Sequence, residues 1–174
     1  MTTENSETAY VLKMPRIIES DPLCDSIEQL LAKNQRPLWR RGTLSVPHLP
    51  LSPSLVKALH HAKNIHQIER GLEGIEKILA NESKGLDALR KKQGTPNANR
   101  ISRLLIVSSD GSERFYRQCE SILAQHSDRV LGIWIGASAE NFTKDMFGAE
   151  KISKALLVSD RDSVADVLYS LVEA

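Results

Sequence analysis

From Arg100 to the C-terminus, apolar runs alternate with amphipathic stretches across short connections, and this order constrains the fold more than any other feature of the chain. The runs ISRLLIVSS (101–109), RVLGIWIG (129–136) and ISKALLVSD (152–160) predict three strands. SERFYRQCESILAQH (112–126), SAENFTKDMFG (138–148) and SVADVLYSLVEA (163–174) predict a helix after each, the second stopped by Gly148. Such alternation is the pattern of an α/β sheet with helices on its faces. Periodicity does not set strand direction, so a mixed order is allowed.

Upstream, SLVKALHHAK (54–63) reads as a helix with Leu55, Leu59 and Ala62 on one face, capped by Ser52 or Ser54. Residues 64–69 predict a short strand, Arg70-Gly71 a turn, and GLEGIEKILAN (71–81) a helix with Leu72, Ile75 and Leu79 on one side. The polar stretch 82–100, with Gly85, Gly94 and Pro96, predicts a solvent-exposed basic insertion. Before this domain, assigned to 52–174, residues 1–9 predict a disordered tail and 10–51 an extended arm with one short helix. Within the arm, 10–24 packs on something, Asp25-Ser26 caps IEQLLAKN (27–34), and the prolines at 37, 47, 50 and 53 exclude a long helix and leave an extended loop.

With 174 residues, 41% hydrophobic and 26% charged, the chain is long enough for one domain and a tail; a disordered, collagen-like or disulfide-stapled chain is excluded. No apolar run approaches the ~20 residues of a membrane span, and MTTENSETAY has no basic segment followed by an apolar one, so an intracellular protein without membrane contact is expected. Cys24 and Cys119 lie far apart and are expected to stay reduced, Cys119 buried on its helix.

The net charge of +1 hides an arrangement. Residues 33–103 hold 14 Lys and Arg against five acids, a net +9, and the remainder carries −8. His48, His60, His61 and His66 also fall in the basic middle. This asymmetry points to a polyanionic partner, beside the simpler reading of a solvated face and a basic loop.

Several local patterns bear on chemistry. Asp110, in SSDGS after a strand, can bind a metal or accept a phosphoryl group, and the same residues make a turn and an N-cap. Asp160 ends the third strand of this half, and Asp162 or Ser163 can cap the last helix; an Asp110–Asp160 metal site is the enzyme alternative. His60, His61 and His66 lack zinc spacing, and no metal site or cofactor is expected. Trp39, beside Arg40 and Arg41, can stack on a base, anchor a protein partner or plug the core. The Arg70–Lys77 segment weighs most: a glycine at a strand-to-helix turn lets backbone N–H groups approach phosphate, with Arg70 and Lys77 adding charge.

The order of elements over 52–174 resembles the kink-turn RNA-binding family of archaeal ribosomal and snoRNP core proteins. That family opens its second helix with G-x-N-E-V-x-K, to which Gly71-Leu72-Glu73-Gly74-Ile75-Glu76-Lys77 is similar. Gly71, Ile75 and Lys77 match, whereas Glu73 and Gly74 replace the pair that reads tandem G·A pairs. The family's second RNA-contacting loop resembles 148–155, with Lys151, Ile152, Ser153 and Lys154. The degenerate signature, the insertion after the second helix and the Pro-containing arm are most similar to the divergent subunit of fungal nuclear ribonuclease P and ribonuclease MRP.

The resemblance implies a three-layer α-β-α sandwich on a mixed four-stranded sheet. It also implies a non-catalytic RNA-binding subunit of a nuclear, nucleolar ribonucleoprotein acting in precursor tRNA and rRNA processing, with structured RNA and other protein subunits as partners and no small-molecule substrate. Arg70, Gly71, Glu73, Lys77 and the 151–154 loop then lie on the RNA face. Arg90, Lys91 and Lys92 add phosphate contacts that weaken with salt, and the arm 10–24 docks on a protein partner. A small nucleotide- or Mg-binding enzyme and a protein-interaction module without RNA contact are the alternatives.

Overall fold

The computed structural model describes residues 12–94 and 99–173. The expected tail 1–9 lies outside them, as do residues 95–98 of the expected insertion. In chain order the elements are α1 (Arg16–Glu19), α2 (Cys24–Lys33), β1 (Gln35–Pro37), β2 (Ser45–Leu49), α3 (Pro53–Asn64), β3 (Ile68–Arg70) and α4 (Leu72–Gln93). There follow β4 (Arg103–Val107), α5 (Glu113–Gln125), β5 (Val130–Ile135), α6 (Ala139–Phe147), a 3-10 turn (Ala149–Lys151), β6 (Ala155–Val158) and α7 (Arg161–Ser170).

The α/β class holds, and the strand–helix alternation after Arg100 forms as expected. Four of the helices start where side-chain oxygens accept N–H bonds: Ser52 from Leu55, Ser112 from Phe115, Ser138 from Asn141 and Asp160 from Ser163. Asp160 is therefore the cap of α7, in place of Asp162 or Ser163. Nor do Asp25-Ser26 cap α2: it begins at Cys24, and Asp21 Oδ1 accepts from the Leu23 N–H at 2.8 Å just before it.

The expected sheet of four strands is a mixed sheet of six, in the order β1-β2-β5-β4-β6-β3. β4 and β5 are parallel, β2 adds parallel to β5, and β1 pairs antiparallel with β2. β6 runs antiparallel to both its neighbours, β4 and β3. The two additional strands come from residues 35–49, expected to be extended loop. Val46 packs on one face and Leu49 on the other, so both sides are covered and no polar–apolar alternation marks β2. The arm 12–24 packs on its own domain. Met14 and Ile18 are buried in the core, and Tyr169 of α7 donates to Asp21 Oδ2 at 3.0 Å.

Helices cover both faces of the sheet. On one, Leu104, Ile106, Leu131, Ile133 and Leu156 pack against α2, α3, α6 and α7. On the other, Leu105, Val107, Val130 and Leu157 pack against α4 and α5, where Cys119 is fully buried and its thiol is pushed up to about 12 by desolvation. Each fully buried Leu or Ile contributes about 1.5–3 kcal/mol relative to exposure. Trp39 joins this second core as a half-buried plug with the Arg117 guanidinium 4.7 Å from its ring centroid.

The stretch 82–93 is not an insertion loop: α4 runs unbroken for 22 residues and ends at Gly94, whose φ of 65° is a left-handed C-terminal stop. Its second half docks through a polar stripe instead of an apolar one. Glu82 accepts from Arg103 Nη2 at 2.8 Å and Arg129 Nη1 at 2.7 Å, Arg129 Nη2 also donates to Leu79 O at 2.9 Å, and Arg90 pairs with Asp128 at 3.3 Å. Arg129 is 5% exposed, so its charge depends on this carboxylate. Burial pushes the Glu82 carboxyl up, but the hydrogen bonds and charges of the two arginines outweigh it and hold it below the usual range.

Glu82→Gln strands the Arg129 charge and is expected to cost about 3 kcal/mol in denaturant unfolding. Because the folded carboxyl is held low, its contribution is complete above the unfolded glutamate pKa of about 4.3 and is lost as pH falls through the folded value. The gap between wild type and variant therefore closes in acid, and a pH-independent gap would refute the network. Gly85 sits in mid-helix with open space where a Cβ would go. Gly85→Ala should stabilise by about 0.5–1 kcal/mol if α4 is continuous, and a loss would show that it is not.

Candidate nucleic-acid interface

The antiparallel register of β3 with β6 sets Arg70 opposite Leu156, and the Gly71 N–H donates to Ala155 O at 3.1 Å. The Arg70-Gly71 turn thereby lies against the 148–154 loop, although the two are some 80 residues apart in the chain. Arg70 closes the contact: its Nη1 donates to Lys151 O at 3.1 Å and its guanidinium lies 4.8 Å from the Phe147 ring centroid. Between them is a groove of about 500 Å³ lined by residues 68–71 and 150–153.

Both walls are held from beneath. Thr143, fully buried on α6, accepts from the Ser153 N–H at 3.0 Å, and Ser153 Oγ donates to Ala155 O at 2.8 Å. Gly71, with φ 82° and ψ 141°, and Gly148, with φ 83° and ψ 163°, take backbone conformations reached almost only by glycine. Gly71 provides no side-chain cap for α4, and the Glu69 carboxylate lies against the first turn, its Oε1 2.6 Å from where a Cβ on Gly74 would stand. Charge along the walls is mixed, with Arg70 and Lys151 facing Glu69 and Glu150. Glu73 and Lys77, 90% and 75% exposed and 3.8 Å apart, form a loose pair on the adjoining helix face. Lys151, Ile152 and Lys154 are exposed.

Of the residues singled out from sequence, Arg70, Gly71, Lys151, Ile152 and Ser153 line one groove, whereas Glu73 and Lys77 stand outside its lining, on the exposed face of the first two turns of α4. Arg90, Lys91 and Lys92 are not brought there: they lie some 19 to 21 residues along α4, about 30 Å away. Arg90 is moreover engaged by Asp87 and Asp128. Glu69 and Glu150 also line the groove, and Phe147 lies against Arg70; none of the three was singled out as a site residue, and an aromatic just before Gly148 was the one available signal for Phe147.

Asp110 and Asp160 do not meet. Since β6 runs against β4, with Leu104 opposite Val158 and Val107 opposite Ala155, the residues that follow the two strands leave at opposite ends of the sheet. Asp110 is occupied structurally, accepting from Ser108 Oγ at 2.7 Å and from the Ala139 N–H at 3.0 Å. Burial raises its carboxyl, but these hydrogen bonds and the Lys154 charge prevail and hold it low. Among the described residues no group of three or more His, Cys, Asp or Glu is placed to hold a metal ion, and no helix is long and apolar enough to cross a membrane. No family model matches the chain, and no curated protein matches it either.

Gly71→Ala tests the turn. Nothing lies within 4 Å of the added Cβ, so the cost is that of the backbone conformation, about 1–3 kcal/mol in denaturant unfolding. A neutral substitution would show that the turn does not hold this shape.

Proposed function

We propose that this protein is a non-catalytic RNA-binding subunit of a ribonucleoprotein, contacting structured RNA through the groove between the Arg70-Gly71 turn and the 148–154 loop. The observation that carries the reading is the meeting of these two segments, each singled out separately, in one groove. Arg70 and Lys77 add positive charge, and exposed Glu73 offers acceptor atoms to base amino groups. A mixed sheet with helices on both faces supports the α-β-α sandwich that the family resemblance implies. The same resemblance motivates the finer proposal of a ribonuclease P or MRP subunit acting in precursor tRNA and rRNA processing in the nucleolus beside other protein subunits. The separation of Asp110 from Asp160 weighs against the enzyme alternative built on that pair.

The test is Arg70→Gln with Lys77→Gln, measured against a kinked RNA over a salt series. Affinity is expected to fall and the salt slope to drop by about 2, one for each phosphate contact removed. Unchanged binding at low and moderate salt would overturn the assignment.

A further inference from the structure

We propose a second phosphate-binding surface at the opposite edge of the sheet, built from arginines around Trp39, that takes the backbone of an RNA duplex independently of the Arg70–Lys151 groove. The proposal rests on the RNA reading above and extends it to a protein that holds two RNA segments at once.

The starting point is a run of 40 residues, 29–68, that contains no acidic residue. Within it, the loop from β1 to β2 folds back onto α5. The Leu44 N–H donates to Glu120 Oε2 at 3.4 Å, Leu38 is buried, and Trp39 lies under the Arg117 guanidinium. Arg40 and Arg41, both exposed, are the central residues of the turn that the Gly42 N–H closes on Trp39 O at 2.9 Å, and so directly follow the Trp39 that Arg117 covers. Arg114 stands one turn earlier on the same face of α5. Arg36 pairs in register with Val46, which is buried toward α5, so Arg36 leaves the same face of the sheet. The result is five arginines at one edge. The two glutamates in the area are engaged, Glu113 by Arg117 and Glu120 by the loop. Among the described residues Arg36, Arg40, Arg41 and Arg114 make no ion pair.

The composition of the patch selects its ligand. Guanidinium forks match phosphate oxygens in pairs. A protein partner would need an apolar anchor, and the large exposed apolar side chains, Ile17, Leu23, Ile65, Leu89 and Ile152, belong to other parts of the chain. A single strand would need an open aromatic face for stacking, and Arg117 covers the one at Trp39. What is left is charge without anchor or platform, which suits a duplex backbone. β1 and β3 are the two edges of the six-stranded sheet. Five strand spacings put them about 24 Å apart, some three Debye lengths at physiological salt. Each surface therefore contributes its own salt dependence.

The experiment uses the full chain, a plain RNA duplex, and a kinked RNA with arms too short to cross the sheet. Wild type is compared with Arg40→Gln, Arg41→Gln, Arg114→Gln combined, and with the Arg70→Gln, Lys77→Gln pair. Equal melting temperatures are required first, which the exposure of the three arginines favours. Wild type should hold both RNAs in one ternary complex. The triple variant should bind the plain duplex at least tenfold more weakly, with a salt slope lower by about 3, and still bind the kinked RNA. The pair should do the reverse.

The proposal is overturned if the triple variant keeps wild-type duplex affinity and slope, or if the kinked RNA displaces the duplex from wild type. It is overturned in favour of an acidic protein partner if the triple variant loses binding to polyglutamate while keeping the duplex. If the pair changes neither RNA while the triple variant loses the duplex, the groove reading falls and this surface stands.

Discussion

The antiparallel ladder of β6 between β4 and β3 is the interaction on which the arrangement of the molecule depends. Backbone hydrogen bonding on both sides of four residues joins the middle of the chain to its end. Because the strand enters reversed, the loop before it arrives beside the start of α4 and forms a groove with it. The same reversal sends Asp160 to the far end of the sheet, where it caps α7. One choice of direction thus makes the Arg70–Lys151 contact and unmakes a two-aspartate site.

A second constraint acts on α4. Its first half is secured by Ile75 and Leu79, its second by carboxylates and guanidiniums. Polar docking of this kind is directional: it sets the rotation and length of the helix, and with them the position of Gly71 at the groove. The apolar half supplies most of the burial, while the polar half fixes the geometry.

How far the sequence speaks can be followed residue by residue. β4, β5 and β6 are apolar runs buried on both faces, and α5, α6 and α7 begin at serine or aspartate caps, so this half is legible from residue types alone. β2 is not, since Pro47 and two-sided burial erase its alternation. The extension of α4 to Gln93 is not, since Glu82 and Arg90 hold it where periodicity looks for leucines, and Gly85 reads as a break. Both walls of the groove were visible as segments, but their meeting was not, because strand order and direction are properties of long-range pairing. Likewise Arg114 and Arg117 look like an ordinary solvated helix face until the β1–β2 loop is seen to lie against them.

The late position of β6 in the chain also shapes how the molecule comes into being. An interior strand supplied by residues 155–158 cannot be in place until the five strands that precede it in the chain have all been made. Until then β3 has no partner in the sheet and β4 has only β5. Docking of the arm must wait too, since Lys13 bridges to Arg100 and Asp21 to Tyr169. Such a topology is dominated by non-local closure, which makes folding slow and leaves an unpaired sheet edge in the nascent state. Until β6 closes the sheet, that unfinished edge is the part of the young chain open to wrong pairing.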